Sequence, residues 1–313
     1  MYAYTFVQWL LFFYTYCFLG WVWESVYVSV RKKEITNRGF MTGPFLPIYG
    51  FGAVIVLLAT IPVKENLFLV FSLGMIAATL LEYVTGVVME AVFQVRYWDY
   101  TDKWCNIKGH ICLGSSLAWG VFSILMIRFI QQPIEKVILS IPDVIQEIMA
   151  FLLSVGISVD VGTAIRDALD LKEMMMRIKE NTEEMLKLQE RLEMITVFLD
   201  DEKRVMKEKM ESITSSLKED EKIYLSRRIE NLKERIVLLE QIKLPREGRK
   251  LERYQELKEE LANIREKVSA AKVKMELHSQ KVKKHTGKLL KRNPDAVSFQ
   301  FKEALQEIKN MKK

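Results

Sequence analysis

A chain of 313 residues with 46 Lys+Arg against 40 Asp+Glu carries a net charge of +6, yet its mean hydropathy is only +0.04. That average hides two unlike halves: residues 1–165 hold ten Lys+Arg against eleven Asp+Glu, and the remaining 148 hold 36 against 29 and no Trp. The division excludes an ordinary pair of soluble domains. It also removes the need for nucleic acid as a partner, because a basic segment tethered beside a bilayer is accounted for by anionic lipid.

Five apolar stretches, at 4–30, 43–62, 66–93, 111–131 and 137–160, approach the ~20 residues that a helix needs to cross a bilayer. Arg31-Lys32-Lys33 follows the first stretch where a cleaved signal would carry small residues, so this stretch reads as a retained anchor. Pro142, Asp143, Glu147 and Asp160 interrupt the fifth, which leaves both spanning and lying in the interface open. Arg31, Lys32, Lys33 and Arg38 follow the first stretch, Arg96, Lys103 and Lys108 follow the third, and the hairpin 62–66 offers Lys64. The positive-inside rule then predicts an outside N-terminus and cytoplasmic loops at 31–42 and 94–110. Residues 1–164 read as a multi-pass domain of the cell membrane with about five helices. Cys17, Cys105 and Cys112 are an odd set and do not suggest a disulfide framework.

From residue 165 the apolar positions recur in steps of three and four: Leu171, Met175, Ile178, then Met185, Leu188, Leu192, Ile195, Leu199. The seam resumes as Leu225, Ile229, Leu232, Ile236, Leu239 and returns as Tyr254, Leu257, Leu261, Ile264, Val268, Ala271, Met275, with His278 and His285 continuing it. Pro245-Arg246-Glu247-Gly248 reads as a turn between the two runs. A second break is expected at Ser215-Ser216, where Ser216 and Glu219 match a capping box. Asn293-Pro294 stops the returning helix, and Val297, Phe301, Leu305 and Ile308 predict a short amphipathic one. The expected fold class is therefore all-α: a polytopic helical membrane domain, then a cytoplasmic antiparallel coiled-coil hairpin over 165–313 with its turn near 245–248.

Ionisable groups inside a span need a partner or a wet cavity. In the third stretch Gly74, Ala78, Glu82, Gly86 and Glu90 are spaced by four, which puts small residues and two carboxylates on one stripe. Glu24 and Glu90 sit near the span ends, where reaching the headgroups is the plainer role. Residues 39–52 hold four glycines and two prolines, so irregular backbone is expected up to about Ala53, with amides and Arg38 available for a phosphate, a carboxylate or a lipid headgroup. The alternative is a tight re-entrant turn in which Arg38 pairs with Glu24 or Glu90. Asp99, Asn106 and His110 stand out in the next loop among interfacial aromatics. Cys105, His110 and Cys112 match no standard metal spacing, and neither a metal nor any other cofactor is expected. There is no phosphate-binding Gly-Lys-Ser/Thr loop and no Gly-x-Ser-x-Gly elbow, so the chain is not its own ATPase.

Gly20-Trp21 with Glu24, Asn37-Arg38-Gly39-Phe40, Gly43-Pro44, Pro47-Ile48-Tyr49-Gly50, Glu82-Tyr83 with Glu90, Trp98-Asp99-Tyr100, and Asn106 with Lys108-Gly109 occur in that order. In these residues the chain resembles the ABC-transporter type IV (permease-like) membrane family of Gram-positive bacteria, over about residues 10–130. The resemblance implies a multi-pass, permease-like protein. On a transporter reading of the polar residues themselves, Glu24, Asn37, Arg38, Glu82, Glu90, Asp99 and Asn106 mark a polar intramembrane or substrate path, and an ATPase, if any, is a separate chain. The long charged extension departs from the resemblance and supports a second reading, a membrane scaffold or sensor whose coiled coil recruits a partner or a second copy. A third reading is a lipid-headgroup-modifying enzyme using the same carboxylates as acid and base, but no nucleophile accompanies them. Membrane lipids are expected partners throughout, and nucleic acid is not.

Overall fold

The computed structural model describes residues 4–199, 225–240, 249–284 and 286–310, and all regular elements among them are helices. Two isolated antiparallel bridges, Arg96 with Val297 and Ile107 with Ile111, complete the backbone pairing among them. The expected turn at Pro245–Gly248, the break at Ser215-Ser216 and His285 lie outside the described residues.

Helix α1 (Phe6–Lys32) starts in a capping box, in which the Thr5 hydroxyl accepts from the Gln8 amide and the Gln8 side chain accepts from the Thr5 amide. It ends on Lys33 in the left-handed region, φ 56°, with Arg31 and Lys32 at the negative end of the helix dipole. Helix α2 (Pro47–Thr60) continues into a 3-10 turn, Ile61–Val63. Asn66 then caps α3 (Leu67–Phe93) by accepting from the Phe68 and Leu69 amides. Irregular backbone was expected up to about Ala53, but the helix begins six residues earlier. Pro47 takes the first helical position, where its fixed φ fits and its missing N–H costs nothing. Gly50 lies inside this helix at the point where α1 comes so close that a Cβ would clash with Cys17 Sγ and lie 2.7 Å from the Phe13 carbonyl.

The fourth apolar stretch does not stop at 131. Helix α4 (Leu113–Leu125) passes through a five-residue π turn, Met126–Ile130, into α5 (Gln131–Ser140). Pro133, which lacks an N–H, falls just beyond the point where the winding loosens. The break comes at Ile141-Pro142, where the Gln146 side chain donates to the Ile138 and Ile141 carbonyls and satisfies the end of α5. Helix α6 then runs unbroken from Asp143 to Leu199, so no break falls at 164–165, and the expected fifth span is the first part of a much longer helix. Four helical stretches, Phe6–Lys32, Leu67–Phe93, Leu113–Ser140 and Asp143–Ile195, are long and apolar enough to cross a membrane, and Pro47–Val63 is a shorter apolar helix.

Residues 1–172 and 285–300 make one compact unit. Its core joins Leu11, Phe12 and Tyr16 of α1 to Val56 and Leu57 of α2, Val70 and Ala78 of α3, Met126 and Ile127 of the π turn, and Ala150 of α6. The loops after α1 and α3 meet at one end, where Arg38 donates to the Tyr97 carbonyl, and α6 arrives there with Asp160. A short helix, α9 (Thr286–Arg292), belongs to this unit, and the Val297 backbone pairs with Arg96 in both directions at 2.8 and 3.0 Å.

The second unit comprises residues 173–284 and 301–313. It holds the rest of α6, α7 (Leu225–Glu240), α8 (Arg249–Lys284) and α10 (Lys302–Asn310). Glu240 pairs with Arg265 at 3.1 Å and Glu230 with Lys272 at 3.4 Å, so α7 and α8 run side by side in opposite directions. Most of the expected seam residues are buried: Met185, Leu188, Leu192 and Ile195, all five from Leu225 to Leu239, and Leu261, Ile264, Val268 and Ala271. The final amphipathic helix was expected to include Val297, but that residue is extended in its bridge and α10 starts at Lys302, with Leu305 and Ile308 buried.

Gly50→Ala should lower the melting temperature of the detergent-solubilised protein, at a cost of about 1–3 kcal/mol for overpacking against a backbone carbonyl. Gly162→Ala, with nothing within 4 Å of the new methyl, should leave it unchanged or raise it slightly. An equal response of both variants would contradict the close α1–α2 approach.

Candidate functional site

Glu82 is buried in α3, and its two carboxylate oxygens are held separately. Oε1 accepts from the Tyr100 hydroxyl and Oε2 from Trp119 Nε1, both at 3.1 Å. Among the described residues no cation is paired with it, so three neighbouring elements place a carboxylate and two neutral donors together. The small-residue stripe makes this possible. A Cβ at Gly74 would lie 2.2 Å from Ser123 Oγ on α4, and one at Gly86 would lie 2.9 Å from His110 Nδ1. Helix α4 and the loop before it therefore come close enough for Trp119 and Tyr100 to reach Glu82.

A second cluster lies at the loop end of α1. Glu24 Oε1 accepts from the Tyr49 hydroxyl at 2.7 Å, and Glu24 Oε2 lies 3.9 Å from Arg38 Nε. Tyr49 also packs against Trp119, the ring that donates to Glu82, with the two rings tilted by 52° and their centroids 5.9 Å apart, so the two clusters share an aromatic wall. Of Glu24 and Glu90, it is Glu24 that stands beside Arg38. Arg38 further donates to the carbonyls of Tyr97 at 3.2 Å and Arg292 at 3.4 Å, and to Asn293 Oδ1 at 3.5 Å. Asn37 accepts from Trp21 Nε1 at 2.7 Å and donates to the Thr42 carbonyl at 2.8 Å, which fixes the loop on α1.

Glu90 belongs to a third group. Its Oε2 takes Arg96 Nε at 2.7 Å and His110 Nε2 at 3.2 Å, and Arg96 also lies 3.5 Å from Asp99. Asp99 accepts from the Thr101 amide and hydroxyl. Asn106 donates to the carbonyls of Thr101 and Lys103 and accepts from the Gly109 amide, which makes it a brace for its loop. Gly109 has φ +71°, and a Cβ there would lie 2.6–2.8 Å from Arg96, Thr101 and Asp99, so this turn admits only glycine without a shift. Burial, and next the Arg96 charge, hold the His110 imidazole below its ordinary pKa, against the pull of Glu90. Cys105 is exposed, while Cys112 is buried and caps α4 through Sγ, so the three candidate metal ligands have separate roles. Among the described residues no group of three or more His, Cys, Asp or Glu side chains is placed to hold a metal ion.

Three residues at the site were not singled out from the sequence as site residues. Asp160 accepts from the Thr42 and Gly43 amides at 3.1 and 2.7 Å, so the glycine-rich loop does hold a carboxylate, one from its own chain. Arg292 donates to Thr42 Oγ1 at 2.9 Å and lies 3.9 Å from Asp167, and Asn293 donates to the Gly39 carbonyl at 2.8 Å. Asp160 carried a signal, an acid in an apolar run. Arg292 and Asn293 lie among many charged residues and carried none beyond the helix stop.

Residues 11–165 match the family model described as Putative ABC-transporter type IV. No curated protein and no solved structure matches the chain.

The unfolded chain takes up a proton at His110 before the folded one does, because the folded pKa lies below the ordinary 6.5. Stability is therefore complete above about pH 6.5 and should fall as pH drops through the folded value. Melting curves between pH 7.5 and 5.5 should show this loss, and His110→Gln should flatten it. An unchanged slope in that variant would assign the pH dependence to other groups.

Proposed function

Because residues 11–165 match the model of the ABC-transporter type IV family, we propose that this chain is the membrane-spanning subunit of a transporter whose ATPase is a separate chain. The observation that carries the reading is Glu82, a buried carboxylate inside a helix apolar enough to span, met by hydroxyl and indole donors. Keeping such a group in an apolar helix is costly, and structural needs would be met as well by an apolar residue. Glu24, Asn37, Arg38, Glu82 and Glu90, with the loop residues Asp99 and Asn106, form the polar path of this reading. Asn37, Asp99 and Asn106 serve it by holding the loops. The same proposal places loops 31–42 and 94–110 in the cytoplasm on the Lys/Arg bias. The seam residues and the α7–α8 ion pairs support reading the charged half as a cytoplasmic antiparallel coiled coil.

One observation favours the scaffold or sensor reading as the second. Helix α6 runs without a break from its apolar stretch into the charged one, as a helix that reports from a membrane would.

Glu82→Gln and Arg38→Ala should each accumulate in the host membrane and fail to replace the wild type in a complementation assay. If both accumulate and replace it fully, the scaffold reading takes the place of the transporter one. The orientation has its own test, because Cys105 is a natural exposed thiol in the second loop. An impermeant maleimide applied to intact cells should label Lys64→Cys and leave Cys105 unlabelled, and labelling of Cys105 from outside would reverse the orientation.

A further inference from the structure

We propose that residues 286–300 form a releasable strap that controls the access of anionic ligands, a phosphate or a carboxylate, to the Arg38 guanidinium. The strap lies across the two loops at the polar end of the membrane unit. Asn293 donates to the Gly39 carbonyl, Arg292 donates to Thr42 and to the Phe40 carbonyl, and Ser298 Oγ donates to the Gln94 carbonyl at 2.6 Å. Val297 pairs with Arg96 as a single β-bridge, and the Arg96 guanidinium lies 4.3 Å above the Phe299 ring. The strap also supplies two of the oxygens that Arg38 faces, the Arg292 carbonyl and Asn293 Oδ1. Without it Arg38 retains the Tyr97 carbonyl and, at 3.9 Å, Glu24.

Two features make the docked strap releasable. Its bonds to Arg38 are 3.4 and 3.5 Å, beyond the usual range for strong hydrogen bonds. Two polar atoms in this region, Arg292 Nε of the strap and the hydroxyl of Tyr97, whose carbonyl Arg38 also holds, are buried with no hydrogen-bond partner among the described residues. Each would find water once the strap lifts, and a buried orphan of this kind opposes the docked state. Residues up to Lys284 and from Phe301 belong to the charged helical unit, so the strap is joined covalently to that unit at both ends. The inference concerns access to Arg38 alone and holds whether or not the membrane unit transports anything.

The test uses the full-length protein in membranes, with phenylglyoxal as the arginine-directed probe and a maleimide as the thiol probe, both read by peptide mass spectrometry. In Ser298→Cys the introduced thiol should react slowly relative to the exposed Cys105. Adding Asn293→Ala should speed it about tenfold, the value of one or two lost hydrogen bonds, and should raise phenylglyoxal modification of Arg38 in parallel. In Gln94→Cys/Ser298→Cys, oxidation should close a disulfide that suppresses Arg38 modification below the wild-type level, and reduction should restore it. Equal modification of Arg38 in the oxidised and reduced forms would overturn the strap, and so would release of position 298 without any gain at Arg38. The disulfide comparison needs no loosened variant, so misfolding of Asn293→Ala does not blunt it.

Discussion

A carboxylate drawn into an apolar helix has to be met by donors from inside the protein, since no water stands ready at that depth. For Glu82 the donors come from two directions, Trp119 on α4 and Tyr100 in the loop that precedes α4. Much of the surrounding architecture follows from bringing them within 3.1 Å. The stripe Gly74-Ala78-Gly86 lets α4 and His110 approach α3. The left-handed turn at Gly109 folds the loop back so that the Tyr100 amide bonds the Gly109 carbonyl. Asn106 then holds the turn from below, and Trp98 ties it to the His110 carbonyl. The site is a consequence of close packing between α3 and α4 rather than an ornament on it.

What was legible in the sequence follows from how local each signal is. The spacing of Glu82 within a stripe of small residues is a property of one helix, and it placed Glu82 correctly on the buried face. The pairing of Arg38 with Glu24 could be named as one of two choices because both residues border the same loop. Its acceptors on Arg292 and Asn293 could not, because those residues lie some 250 residues away in the densely charged half of the chain. Periodicity has no reach over that separation. Proline marks the helix stop at Pro294 as the sequence reading has it, whereas Pro142 splits the expected stretch 137–160 between α5 and α6, and near Pro47 glycines needed for close approach to α1 look the same as glycines needed for a loop. The change from apolar to charged sequence near residue 165 suggested a boundary, but the backbone of α6 does not register it. Side-chain chemistry can change along a helix without any change in its hydrogen bonding.

The third cluster shows how one arginine can organise both a loop and its neighbour. Arg96 uses its side chain on Glu90 and Asp99 and its backbone on Val297, while its guanidinium face covers Phe299. A lysine could offer the charge but neither the fork that reaches two carboxylates nor the flat face. The segment that bonds Arg96 therefore reads a specific geometry and not merely a positive charge.

The π turn at Met126–Ile130 carries a consequence for helical phase. It holds one residue more than an α-helix would need to cover the same rise, and each residue turns a helix by about 100°. Beyond it, Gln131 accepts the Tyr16 hydroxyl at 2.8 Å and Ile138 faces the core. Removing a single residue from the turn would restore α-helical winding between α4 and α5, interrupted still by Pro133, which has no N–H to donate. The same deletion would swing α5 by about a quarter turn, withdrawing Gln131 from Tyr16 and carrying the Ile138 carbonyl away from Gln146. The extra residue thus acts as a phase setting, the means by which one continuous helix faces two different neighbours along its length.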